Sequence, residues 1–204
     1  ALQTRPGAPT NYTDALRPDA LRGVRLGVAR FIRGFRGPTD QVFESALAVL
    51  RAQGAELVDI DRFDFQDLGD LEMTILHTEF KVGLNAYLAT TPAAVKSRTL
   101  ADLIAFNKSE PRELVYFNQD TFEASQATQG LDSPPYNWAL PKALAIARGG
   151  VDKLLADNDV VALVAPTSGP AWMIDLVNGD RGVGSASMLA AVSGYPHLTV
   201  PMGE

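Results

Sequence analysis

The sequence predicts an α/β protein, a mixed β-sheet core covered by helices, on three observations. A strand, a helix and a second strand follow one another within residues 24–60, helical periodicity dominates residues 68–157, and an unbroken apolar run, Val160 to Ala165, stands between Asp159 and Pro166. The elements follow in order. Residues 1–20 hold several prolines among small polar residues and read as a linker-like segment, leaving residues 21–204 as a single α/β unit. Val24 to Val28 alternates at period two and predicts a strand, followed by a turn-rich Arg33–Pro38 loop. Thr39 or Asp40 caps a helix whose apolar residues, Val42, Phe43, Ala46, Leu47 and Leu50, recur at helical spacing until Gly54 stops it. Ala55 to Ile60 is the second strand, parallel to the first across a right-handed crossover.

From Leu68 to Leu88 the apolar positions Leu71, Ile75, Val82, Leu84 and Leu88 mark one long amphipathic helix. Thr99 caps a short helix to Asn107, Pro111 is placed to open another reaching about Gln129, and Leu140 to Leu155 is a further amphipathic stretch. Val160 to Ala165 has no polar residue on either face, which predicts a strand covered on both sides at the sheet's centre. After a long loop, Ser185 to Val192 reads as a small-residue helix that Gly194 terminates, and His197 to Pro201 as a last short strand.

At 204 residues, 46% of them apolar, the chain can bury one sizeable core. A net charge of −6 argues against a nucleic-acid backbone as the main partner. With no cysteine, disulfide frameworks, thiolate metal sites and cysteine nucleophiles are excluded. No apolar stretch approaches the ~20 residues needed to span a bilayer, and the N-terminus lacks a basic region followed by an apolar one, so no membrane partner and a cytoplasmic location are expected.

Few residues advertise chemistry. His77 reads as a polar side chain of the long helix, and His197, after Pro196, as a hydrogen-bonded core histidine; neither has a partner at metal-ligand spacing. The carboxylates Asp59, Asp61, Asp64, Asp67 and Asp70 form a solvated cluster without the glycine and terminal glutamate of a calcium loop, so no metal and no cofactor are expected. Arginines crowd the stretch from Arg17 to Arg36, but the glycines among them make no phosphate-binding pattern. Gly182 to Ser187 is a Gly/Ser-rich turn into a helix, either a tight helix start capped by Ser185 or a set of backbone N–H groups aimed at an anion.

One resemblance adds to this. Asp159-Val-Val-Ala-Leu-Val-Ala-Pro-Thr167, then Pro170-Ala171, then Ala190-Ala-Val-Ser-Gly-Tyr-Pro-His-Leu-Thr-Val-Pro201 resembles the amidase signature family in content and order. Leu21 to Val28, Glu79 to Leu88 and the Pro135-Tyr136 helix start are similar to its peptide-amidase-like members, so the resemblance covers nearly everything after residue 20. It implies a partial amidase-signature fold and hydrolysis of amide bonds by a Ser, cis-Ser, Lys triad. The family's Gly/Ser-rich catalytic signature is not present in this sequence, and no catalytic residue is assigned within it. The chain is therefore expected to be the central and later part of a longer amidase that works with the missing N-terminal part of the same polypeptide. By resemblance, Thr167, Ser168, Trp172, Gly184 and Ser185 face the acyl side of a small-molecule amide substrate. The alternative is a non-catalytic domain that binds a small ligand through the Trp172 loop. If strands are contributed from outside, Val24 to Val28 and Leu198 to Val200 are expected to be exposed and the isolated segment to self-associate.

Overall fold

The computed structural model describes residues 11–32, 37–64, 67–179, 182 and 184–203. The chain runs through β1 (Arg25–Ala29), α1 (Gly37–Ala52), β2 (Glu56–Ile60), α2 (Leu68–Ala89), α3 (Leu100–Ser109), α4 (Asp120–Ala127), α5 (Pro134–Asp157), β3 (Ala162–Val164) and α6 (Ser187–Ser193). Before β1 lies one exposed 3₁₀ turn, Thr13–Ala15. Residues 1–10 of the linker-like segment and Arg33 to Arg36 of the turn-rich loop lie outside the described residues.

The sheet orders its strands β2-β1-β3, all parallel, with Val28 opposite both Asp59 and Val164. Here the structure corrects the sequence reading. The strand at the centre is β1, where Val28 is wholly buried, and Val24 to Val28 is not the exposed element expected. The Val160 to Ala165 run shortens to β3 at an edge, and Val161 is 70% exposed. An apolar strand reads as central because both faces are apolar, yet these residues cover only one side of it. His197 to Pro201 makes no strand, because among the described residues no neighbouring strand offers it hydrogen bonds; Leu198 and Val200 stand exposed, as expected for Leu198 to Val200.

Close packing in the sheet depends on Gly27. A Cβ there would sit 2.8 Å from Ile60 Cδ1 and 2.9 Å from Leu163 Cδ2, so its absence lets the side chains of both neighbouring strands close over β1. Arg25 fixes the turn into β3: its guanidinium donates to the carbonyls of Asp159 (2.7 Å) and Asn158 (3.2 Å) and pairs with Glu56 (2.8 Å). Arg30 ties the other end of the sheet by bonding Glu44 of α1 and Asp59 of β2, contacts that hold its guanidinium firmly protonated.

The main core lies between α2, α5 and α6. Ala139, Ala143, Ala147 and Val151 recur every fourth residue along α5 and are buried with Leu68, Leu71 and Leu189. Alanine on that stripe lets the helices approach closely. The helix starts at Pro134 rather than Leu140, with prolines in its first turn, and continues through Pro141. Pro141 removes the bond to the Asn137 carbonyl, but both residues are on the solvent side, where water supplies a donor. The expected helix from Pro111 does not form. Residues 111–119 make turns, and α4 begins only at Asp120. Leu114 to Phe117 are all exposed there, so no buried stripe rewards a helix.

Cations close two helix ends. Lys81 donates to the carbonyls of Gln126 and Thr128 (2.7 Å each) at the end of α4, and Arg98 to those of Leu88 (3.0 Å) and Thr91 (2.7 Å) at the end of α2. The α3 start is a reciprocal box: the Asp102 N–H donates to Thr99 Oγ1 (3.1 Å) and the Thr99 N–H to the Asp102 carboxylate (2.9 Å).

Candidate functional site

A parallel strand feeds its following loop to its C-terminal end, where open α/β sheets leave a crevice. In this chain the loop after β3 and the start of α6 meet at that end. The Ala186 N–H donates to the Thr167 carbonyl (3.0 Å), and Ser168 pairs with Ser185 in an isolated antiparallel bridge. Four of the five residues singled out from the sequence, Thr167, Ser168, Gly184 and Ser185, are thereby brought together. The fifth, Trp172, folds back over Gly182, where an added Cβ would lie 3.1 Å from the indole Cη2, so the ring packs closely on the glycine.

The result is a hydroxyl-bearing rim. Ser185 Oγ lies 2.9 Å from Ser187 Oγ and accepts from the Ser187 N–H at 3.3 Å, while Thr167 Oγ1 lies 3.2 Å from Thr199 Oγ1. Ser168 and Ser185 are exposed. The N-cap of α6 is Ala186, so Ser185 braces the turn before the helix instead of capping it. Among the described residues, the Ser185 hydroxyl meets another hydroxyl rather than a histidine, lysine or carboxylate, and so has no base to activate it.

α6 is held in place from α5. Arg148 Nε donates to the Ser193 carbonyl (2.7 Å), the Tyr195 hydroxyl donates to Asp152, and Gly194 ends the helix at a φ of 72°. Beside the rim lies an apolar cavity of about 700 Å³, walled by Phe43 and Val49 of α1, Val161 and Leu163 along β3, and Leu198 and Val200 of the final extended segment. Thr167 is the residue of the sequence-derived set that reaches its wall; the others line the rim outside it.

The sequence reading missed the cavity, the Thr199 contact and the Arg148 and Asp152 anchors. His197 proves exposed on the cavity wall instead of buried in a core, because the strand expected to carry it is absent. His77 sits partly buried in α2, with its Nε2 enclosed and unpartnered among the described residues. Of the acidic cluster, Asp59 pairs with Arg30 and Asp67 with Lys142 (3.2 Å). Among the described residues no group of three or more histidines and carboxylates is placed to hold a metal ion, and no helix is long and apolar enough to cross a membrane.

Known proteins resemble this chain along nearly its whole length. No family model matches it. A probable amidase of Arabidopsis thaliana is 30% identical over 203 residues, which cover 94% of this chain and 34% of the plant protein. A glutamyl-tRNA(Gln) amidotransferase subunit of Desulfotalea psychrophila is 26% identical over 95% of this chain and 41% of its own length. Among solved structures, the native peptide amidase of Stenotrophomonas maltophilia superposes on 98% of this chain with a TM-score of 0.81 and 38% identity, the match covering 41% of that enzyme. The chain thus spans between a third and about two-fifths of these relatives. The helix-covered sheet described above is that part of their fold, and amidase-signature homologues cover nearly the whole of this chain.

Proposed function

We propose that this chain is the scaffold and pocket wall of an amide hydrolase, and that the groups which attack and protonate the amide come from polypeptide outside this sequence. One observation carries the reading: 98% of the chain superposes on a peptide amidase at 38% identity. Identity at that level preserves the framework of a site as well as the fold. The chemistry of the rim supports it. A carboxamide needs donors and acceptors of modest strength around it, and exposed serine hydroxyls beside backbone N–H groups at the end of a parallel sheet supply them. Ser168, Gly184 and Ser185 would border the acyl group, with Thr167 at the cavity and Trp172 closing one side. The resemblance supplies the rest: a serine nucleophile relayed through a second serine to a neutral lysine, none of them in this chain.

The cavity has a part in the same reading. Its wall is the free edge of β3 together with exposed apolar residues, a surface that another strand and its side chains would complete. The remaining polypeptide of the same enzyme is the partner proposed for it.

The test is ammonia release from acetamide and from N-acetylated amino acid amides, measured for the complete polypeptide and for residues 1–204 alone. Turnover by the complete polypeptide and none by residues 1–204 is the expected result. Hydrolysis by residues 1–204 alone, abolished in Ser185→Ala, would place the nucleophile here and overturn the proposal.

A further inference from the structure

Thr167, just past β3, is gripped twice by one stretch of chain. The Ala186 N–H donates to its carbonyl (3.0 Å) before α6 begins, and Thr199 Oγ1 lies 3.2 Å from its Oγ1 after α6 has ended. Residues 186–199 therefore close on Thr167 from both ends. The corner of that closed stretch is Ser193 to Tyr195, where the chain turns at Gly194 with a φ of 72°.

The corner is tied to α5. Arg148 Nε donates to the Ser193 carbonyl (2.7 Å), the Tyr195 hydroxyl donates to Asp152, and the Tyr195 N–H donates to Oγ of the buried Ser193 (3.2 Å). Arg148 and Asp152 stand one helical turn apart, each next in sequence to a buried residue of the α5 stripe, Ala147 and Val151. All of these partners lie within this chain. α6 is only seven residues long, and of them Leu189 and Ser193 are buried. Apolar burial has no direction, so so short a contact leaves α6 free to slide along α5. Hydrogen bonds to charged side chains are directional and strong, and the bonds from Arg148 and to Asp152 remove that freedom.

We propose that Arg148, Asp152 and Tyr195 are positioning residues of the site. By pinning the corner of residues 186–199 to α5, they set where Thr167 and the Ser185 hydroxyl stand on the rim. They act through the Ala186 and Thr199 contacts rather than by touching the amide. This assignment rests on the amide-hydrolase reading above.

The experiment measures kcat and KM for N-acetyl-leucinamide in the complete polypeptide and its Tyr195→Phe, Asp152→Ala, Asp152→Asn and Arg148→Met variants. It is run well below the thermal transition, with folding checked by circular dichroism. Tyr195→Phe removes one hydroxyl and keeps the ring, Arg148→Met removes the donor and keeps an apolar stem, and Asp152→Asn keeps an oxygen that accepts the tyrosine O–H. In Tyr195→Phe, Asp152→Ala and Arg148→Met, kcat should fall roughly 10- to 100-fold with KM little changed, the loss expected from misplacing groups by up to about 1 Å. Asp152→Asn should keep the parent's kcat. Adding Asp152→Ala to Tyr195→Phe should cost nothing further, since both changes break one bond. A merely structural brace would lower the melting temperature and leave kcat unchanged, and that result overturns the proposal. Hydrogen exchange at the Ala186 amide, followed by mass spectrometry in the same proteins, separates its fate from that of the amidase reading. Exchange should quicken in the three impaired variants and keep the parent's rate in Asp152→Asn. A loss of kcat without quicker exchange overturns the proposal, because the effect then does not pass through Thr167. If the parent hydrolyses no amide but exchange responds as expected, the pinning of the rim stands and the hydrolase reading falls. If neither hydrolysis nor the exchange response is found, both are overturned.

Discussion

Two adjacent glycines in α5 should respond in opposite ways to the same substitution. Replacing either by alanine removes backbone freedom from the unfolded chain and favours the helix by about 0.8–1.0 kcal/mol. At Gly149 a new Cβ meets nothing within 4 Å, so Gly149→Ala should stabilise by about that amount. At Gly150 the Cβ would lie 2.3 Å from Phe63 Cζ and 2.4 Å from Cε2. The ring would have to recede by roughly 1 Å to reach ordinary contact. It is not free to do so without disturbing Phe31, whose ring centroid lies 5.6 Å away. Overpacking of this kind costs about 1–3 kcal/mol. Because the helix term is common to both variants, the difference between them isolates the packing term. Urea unfolding should therefore place Gly150→Ala about 1–3 kcal/mol below Gly149→Ala, with similar m-values. Adding Phe63→Leu should recover most of that difference in a double-mutant cycle. Equal gains from both alanines would refute the packing of Phe63 against Gly150, and with it the way the residues after β2 close onto α5.

Other outcomes follow from the same structure. Thr99→Ala removes one half of the α3 capping box and should cost about 1 kcal/mol. N–H donation from Arg98, with bonds from Thr99, holds the Asp102 carboxyl below its ordinary range, so its contribution is complete above the unfolded aspartate value near 3.9 and is lost as pH falls through the lower folded value. Asp102→Asn should flatten that acid limb of a pH–stability curve, and an unchanged limb would count against the box. In residues 1–204 alone, Val161→Asp should shift stability by less than about 0.5 kcal/mol while Val28→Asp prevents folding, since the first side chain is largely exposed and the second is enclosed. The free β3 edge and the exposed Leu198 should make residues 1–204 associate over a tenfold concentration range in the ultracentrifuge, and Val161→Lys with Leu198→Lys should suppress this. A monomer throughout would show that the edge is already protected.

These contrasts show where sequence and structure part. Periodicity located α1, α2 and α5 because their buried stripes, such as Ala143, Ala147 and Val151, face partners inside the chain. The same logic misplaced Val160 to Ala165, because an apolar run does not by itself tell a central strand from an edge strand, and here Val161 is exposed at the edge. His197 to Pro201 formed no strand because strand pairing needs two segments, and among the described residues none pairs with it. The Pro111 signal marks a first helical turn only where a packed stripe follows, and Leu114 to Phe117 face outward. At the site, local composition pointed to Ser185 and its glycines. The Thr167–Thr199 and Tyr195–Asp152 contacts join residues 32 and 43 positions apart, and no local pattern encodes them.

If this chain shapes an amidase site without supplying the reacting serine, the activated serine of the enzyme must lie elsewhere in the polypeptide. A biotinylated fluorophosphonate marks activated serines covalently, and peptide mass spectrometry of the labelled complete polypeptide locates the adduct. The predicted result is one adduct outside residues 1–204, competed away by N-acetyl-leucinamide, with Ser168→Ala and Ser185→Ala still labelled. An adduct on Ser168 or Ser185, lost in the corresponding alanine variant, would contradict it.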